Sequence, residues 1–283
     1  MTTRWKADLA LLTVAAIWGS SYGVAKQAVT FYPVLGFLAV RFGLTFLLLV
    51  PYLRGEGRQA WRAGLPTGGL LLAIFLCETT GVSLTSASNA AFLISLCVLF
   101  APFGEWWLLG QRPGPAILLA CVLSLAGVWL LTGGLAARLG LGDALMLAAA
   151  LLRALQVVVN RRFNARRPLP ALALTAVQSG TIAAGCLLLA GFSPGPWPPL
   201  PTAPVFWGGT LYLVAFATLF AFFVQNHALR QASATRVSLL MGSEPLFGAL
   251  FAAFWLGERL GPEAWLGGAL IVAATAWASL LRR

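Results

Sequence analysis

Four ionisable side chains sit inside strongly apolar sequence: Arg41, Glu78, Arg153 and Glu244. A guanidinium grips a carboxylate through two parallel hydrogen bonds. A carboxylate can receive an ammonium group or, where burial favours its neutral form, carry a proton. An ionised side chain among hydrocarbon costs at least ~2.5–3.5 kcal/mol on insertion scales, so each needs a partner, a hydrated cavity or a ligand. Arg153 either holds a ligand carboxylate or pairs with a helix carbonyl or an acid. Arg41 either touches ligand or forms an ion pair with Glu78, Glu105 or Glu244. Glu78 and Glu244 are open to both roles, and Glu244 can also satisfy backbone N–H groups freed near Pro245. Glu105, near the end of its apolar run, is expected at the solvated interface.

Helical spacing groups further polar residues around these four. Trp18, Ser21 and Tyr22 share a face at i, i+3 and i+4, as do Arg153, Gln156 and Asn160 at i, i+3 and i+7. Phe92 and Ser95 are three apart, and Gln225 stands beside Asn226 and the single His227. In a helix surrounded by lipid such a stripe turns to the bundle interior. The candidate site is therefore Trp18, Ser21, Tyr22, Arg41, Glu78, Phe92, Ser95, Arg153, Gln156, Asn160, Gln225 and Glu244, around a wet cavity on the first, fourth, sixth and ninth apolar blocks. Trp18 is either an aromatic wall or packing, and any one Ser, Thr or Gln can instead be an interhelical hydrogen bond. Gly19-x-x-x-Gly23 permits close helix approach.

The elements that must hold these groups are membrane helices. Of 283 residues, 59% are hydrophobic and only 10% charged. No solvated exterior can be built from that composition. The apolar residues fall into blocks near 8–27, 33–52, 64–84, 86–108, 114–133, 143–163, 169–190, 205–229, 235–256 and 263–281, each about the length that crosses a ~30 Å hydrocarbon core. The expected fold is an all-α integral membrane protein of ten transmembrane helices. The first block is long for a signal peptide and lacks a clear cleavage site, so it is taken as a span.

Basic residues set the orientation. With the N-terminus cytoplasmic, inner segments hold thirteen: Arg4, Lys6, Arg54, Arg58, Arg62, Arg112, Arg161, Arg162, Arg166, Arg167, Arg230, Arg282 and Arg283. Outer segments hold three, Lys26, Arg138 and Arg259, a strong positive-inside bias. Eight tryptophans near block ends, among them Trp5, Trp107 and Trp265, form an ordinary interfacial belt.

The two halves repeat. Ser86-Ala87 and Ser233-Ala234 align at an offset of 147, as do Leu109-Gly110-Gln111-Arg112 and Leu256-Gly257-Glu258-Arg259. Asp8 and Asp143, and Lys26 and Arg161, align at 135. Five spans per half is an odd number, so the second half is inverted relative to the first. The expected units are 1–135 and 136–283, with a shared midplane site exposed alternately to either side.

The net charge of +11 is spread over short connections rather than one folded face, which argues against nucleic acid. One histidine, no H-E-x-x-H and no G-x-S-x-G argue against an enzyme, and no G-x-x-x-x-G-K-[ST] argues against use of ATP. Cys77, Cys97, Cys121 and Cys186 lie in apolar blocks without metal-ligand spacing, so no metal or cofactor is expected.

Ile17-Trp18-Gly19-Ser20, Arg41-Phe42, Thr85-Ser86-Ala87-Ser88-Asn89-Ala90-Ala91-Phe92, Glu244-Pro245 and Leu256-Gly257-Glu258-Arg259 occur in this order along nearly the whole chain. The set resembles the EamA branch of the drug/metabolite transporter superfamily. Two departures stand out: Gln111 replaces an acid, and a proline expected near Val98 stands at Pro102. The resemblance implies ten helices, a five-plus-five inverted repeat and movement of small metabolites. It further implies a secondary transporter in the bacterial cytoplasmic membrane, with both termini cytoplasmic, exporting substrates such as amino acids, aromatic ones included. The alternatives are a translocase of lipophilic cations, drugs or lipids on the same scaffold, or a membrane-embedded transferase. The expected partners are a small-molecule substrate and the bilayer, and a monomer suffices for the fold.

Overall fold

The structure, a computed structural model, describes residues 2–85, 90, 93–132, 140–166, 169–192, 197–230, 232–255 and 261–280. Among them every regular element is helical. Helix α1 is Thr2–Phe31, α2 is Val34–Leu49, α3 is Ala60–Leu84, α4 is Cys97–Leu109, α5 is Pro115–Thr132 and α6 is Leu141–Arg166. They are followed by α7 (Ala171–Gly191), α8 (Pro204–Tyr212), α9 (Ala221–Ala228), α10 (Ala234–Met241), α11 (Glu244–Trp255) and α12 (Pro262–Leu280). Among the described residues, six stretches are long and apolar enough to cross a membrane: Ala7–Phe31, Val34–Leu53, Gly57–Leu84, Leu141–Phe163, Ala171–Gly191 and Pro204–Ala228. Leu93–Leu109, Pro115–Leu131 and Pro262–Ala274 are shorter apolar helices.

Local chemistry explains where helices bend and stop. Pro245 cannot donate to the carbonyl four residues back, and its ring would clash there. That residue is Met241, where α10 ends; Pro245 itself falls in the first turn of α11, where no N–H is needed. The single block expected over 235–256 is thus two helices. In α4, Pro102 frees the Val98 carbonyl, and the Cys121 thiol donates to it at 3.5 Å. Gly110 ends α4 with φ 69°, a left-handed conformation suited to glycine. Between α8 and α9, Leu213–Phe220 widens into a π-helix, and one continuous rod runs from Pro204 to Ala228. Insertions of this kind occur often at functional positions.

The packing pairs respect the sequence repeat. Helix α2 lies on α7 and α5 on α12. Helix α3 packs on α6 as α1 packs on the α8–α9 rod, and α4 packs on α6 as α1 packs on α10 and α11. Small residues let these backbones meet. A Cβ on Gly19 would lie 2.7 Å from the Glu244 carbonyl oxygen on α11, whereas Gly23 faces open space. Only the first glycine of the 19–23 pair is therefore a packing requirement. The largest buried cluster draws Phe37, Phe42, Phe206, Phe222 and Leu213 together. Leu47, Leu48, Trp107, Leu187 and Phe192 stay exposed on the outer surface, as side chains meant for lipid would.

Candidate functional site

Inside the bundle lies an open cavity of about 760 Å³, open solvent at its mouth included. Helix α1 supplies Trp18, Ser21, Tyr22 and Lys26 to its wall, α2 Arg41 and α3 Phe75 and Glu78. Helix α6 supplies Arg153 and Gln156, α9 Phe222 and Gln225, and α11 Glu244. The mouth lies at the exposed Lys26 and Ser83, where α1 and α3 finish. Among its described residues, the fourth apolar block, expected to help wall the cavity, contributes only to a second chamber of about 340 Å³, open solvent included, through Ile94, Ser95 and Cys97. Trp18, Arg153, Gln225 and Glu244 line both spaces and so form the partition between them.

Arg153 is the centre of that partition. Its Nη1 lies 3.3 Å from Glu244 Oε2, and its guanidinium sits over the Trp18 ring, 4.5 Å from the centroid. The indole is fixed in turn, because Trp18 Nε1 donates to the Ala217 carbonyl at 2.9 Å. Ala217 belongs to the π-helix, so the widened turn anchors the aromatic platform. Phe222 meets Trp18 edge-on at 6.4 Å. Glu244 spends one oxygen on Arg153, while its Oε1 and the Tyr22 hydroxyl are buried without hydrogen-bond partners. The carboxylate does not return to the backbone around Pro245.

Arg41 forms no ion pair with Glu78, Glu105 or Glu244 within 4 Å, so the ion-pair alternative of its two readings is not realised. Its Nε donates to Thr218 Oγ1 at 3.0 Å, again on the π-helix, and its guanidinium faces the Phe42 and Phe75 rings at 5.0 and 5.3 Å. Glu78 lies on the cavity wall and, among the described residues, makes no hydrogen bond or ion pair within 4 Å. The cavity lining thus carries three cations, Lys26, Arg41 and Arg153, against two carboxylates.

The remaining candidates divide. Ser21, Tyr22, Gln156 and Gln225 line the main cavity. The Ser21 hydroxyl is turned back to the Trp18 carbonyl at 2.9 Å, and Gln225 Nε2 approaches Met241 Sδ at 3.6 Å. Ser95 lines the inner chamber only. Asn160 lines neither space. It belongs to a buried amide network in which its Nδ2 donates to Asn226 Oδ1 at 3.0 Å, and Gln178 Nε2 reaches Thr67 Oγ1 and Asn160 Oδ1 at 3.0 and 3.3 Å. Asn226 Nδ2 closes it on Thr175 and Gln178. Phe92 lies outside the described residues, as do Arg138, Arg167 and most of the 86–92 and 256–261 motifs. Glu105 overturns its expectation: it is 2% exposed and accepts from the Ala234 and Thr235 backbone N–H groups.

Lys26 and Phe75 are cavity residues that the polar stripes did not include. Both were within reach of the same spacing rule, since Lys26 is four residues past Tyr22 and Phe75 three before Glu78. Thr218 had no such signal, because the π-helix breaks the 3.6-residue phase.

A bundle of apolar helices around a charged interior cavity defines a multi-span membrane transporter. The EamA-like transporter family matches this chain twice, over residues 5–133 and 140–280, and the chain belongs to that family. It is 26% identical to a protein of Archaeoglobus fulgidus described as an uncharacterized transporter, over 98% of this chain and 87% of that one. A protein of Bacillus subtilis described as uncharacterized transporter YwfM is 27% identical over 94% of this chain and 90% of its own. A solved crystal structure superposes with a TM-score of 0.80 at 20% identity, covering 98% of both chains, and shares the fold.

Proposed function

We propose that this chain is a secondary transporter of the bacterial cytoplasmic membrane that exports small carboxylate-bearing metabolites such as amino acids, aromatic ones included. Its ten spans form two inverted five-helix halves, 1–135 and 136–283, with both termini cytoplasmic. The paired packing of α2 with α7 and α5 with α12 supports that symmetry. Rocking of the halves exposes the cavity to one side and then the other. The observation that carries the reading is the Arg153–Glu244 pair over Trp18 at the floor of the cavity. A substrate carboxylate takes Arg153 bidentately, its ammonium finds Glu244 or Glu78, and Phe75, Phe222 and Trp18 enclose its side chain. The excess of cations over acids in the lining favours a carboxylate substrate over a lipophilic cation.

The test is efflux from proteoliposomes loaded with amino acids, lipophilic cations or a labelled lipid, with and without a pH gradient. Accelerated amino-acid efflux supports the proposal. Movement of the cations or lipid alone replaces it with the translocase reading.

A further inference from the structure

The end of the bundle away from the cavity mouth is closed by a second polar cluster. Asp8, eighteen residues and about 27 Å from Lys26 along α1, marks that end, and its carboxylate holds Arg236 on α10 at 2.6 Å. Nearby, Glu105 of α4 accepts from the Ala234 N–H at 2.6 Å, the Thr235 N–H at 3.2 Å and the Thr235 hydroxyl. Arg161 of α6 brings its Nε to 3.5 Å from Glu105 Oε1 and donates through Nη1 to the Ala232 carbonyl. One buried carboxylate therefore pins the first turn of α10 to α4 and α6. At its other end α10 finishes at Met241, which with Gly242 walls the inner chamber. Ser238, on the same helix, lines that chamber with a buried hydroxyl that has no partner.

On the mouth side the repeat matches only part of this cluster: Asp143, 135 positions after Asp8, accepts from the Thr85 hydroxyl at 2.5 Å at the end of α3. The residue 147 positions after Glu105 is Ala252, and the residue 135 before Arg161 is Lys26, which lines the open mouth and forms no ion pair among the described residues.

We propose that Glu105 is the latch of a gate whose moving leaf is α10. With α10 bound to Glu105 the inner chamber is shut on that side. When α10 leaves, Met241 and Gly242 withdraw and the chamber opens. The inference rests on the alternating-access reading of the cavity, but its readout needs no substrate, so a silent transport assay and an unaltered gate are separate failures.

Cys97 is a native reporter, because it lines the inner chamber eight residues, about 12 Å along α4, from Glu105. The full-length chain with Cys77, Cys121 and Cys186 replaced by serine is placed in vesicles of either orientation and treated with a charged, impermeant methanethiosulfonate. Cys97 is expected to be protected from the Glu105 side. Glu105→Gln should raise its labelling from that side at least about tenfold, since hydrogen bonds to a charged group are lost from the closed state. Thr235→Val, which removes one donor and leaves the carboxylate in place, should raise it less and carries the test should Glu105→Gln fail to fold. Cys121, buried away from both chambers, retained alone in place of Cys97, should stay unreactive in each variant. Equal rates in wild type and variants, a rise only from the Lys26 side, or a parallel rise at Cys121 would overturn the proposal.

Discussion

Two guanidinium–carboxylate pairs hang from α6 eight residues, or about 12 Å, apart: Arg153 with Glu244 and Arg161 with Glu105. They are built differently. The Glu105 carboxylate is occupied by three hydrogen bonds besides Arg161, all from the start of α10. The Glu244 carboxylate has one ion-pair partner, its other oxygen and the Tyr22 hydroxyl on the same cavity wall make no hydrogen bond, and a cavity lies on either side. Buried polar groups are normally satisfied, so saturation marks a contact complete within the protein and a deficit marks a place where something else completes the bonding. The amide network of Asn160, Gln178, Thr67, Asn226 and Thr175 falls on the saturated side.

The largest expected effect breaks the unsaturated pair. Arg153→Ala should lower transport at least about thirtyfold, the scale of ~2–5 kcal/mol for removing one partner of a buried charge pair. It also strands Glu244, so thermal stability should fall; the double variant Arg153→Ala/Glu244→Gln should recover stability but not transport. Recovery of both would make the pair a tie between helices with no part in transport. The single variant Glu244→Gln sharpens the contrast further. Efflux by the wild type is expected to follow an imposed pH gradient, and the variant should be flat to it; an unchanged response removes Glu244 from proton coupling.

The amide network should respond in stability instead. Asn226→Leu strips bonds from Asn160, Gln178 and Thr175 and should cost about 1–3 kcal/mol, the penalty for leaving buried partners unsatisfied. The melting temperature should drop while KM for substrate stays put. A changed KM would place the amide network within the site and erase the distinction drawn from its bonding.

How far these differences could be read from sequence depends on the physics behind each. Hydrophobic blocks follow from the cost of exposing polar backbone to lipid, so the helices lie close to where composition puts them. Helical phase carried Trp18, Tyr22, Arg153 and Gln156 to one cavity for the same reason. It failed at Asn160, seven residues from Arg153, because sharing a stripe does not say whether a side chain ends at a cavity or at another helix. It failed at Glu105 too. An acid near the end of an apolar block is solvated only if nothing packs on it, and the helix start that buries it lies 129 residues away. The partners of Arg41 were hidden twice, since rings are poor sequence signals for a cation and Thr218 sits in a π-turn. The break at Pro245, inside the block expected over 235–256, is a different miss: the residue lacks an N–H whatever surrounds it, but a count of apolar residues does not register that.

The smallest expected effect tests how the partition is supported. Trp18→Phe keeps an aromatic face under Arg153 but removes the indole N–H that binds the Ala217 carbonyl. The lost hydrogen bond is worth about 0.5–1.5 kcal/mol, and phenylalanine is a weaker cation–π partner than tryptophan. Transport should therefore fall severalfold, far less than for Arg153→Ala, with the loss mainly in KM. The π-helix should then be held by Arg41 through Thr218 alone on this side, so Trp18→Phe and Thr218→Val together should cost more than the sum of the two single variants. Strict additivity would mean that the π-turn stands without either clasp, and that the aromatic platform and the second arginine report on the cavity independently.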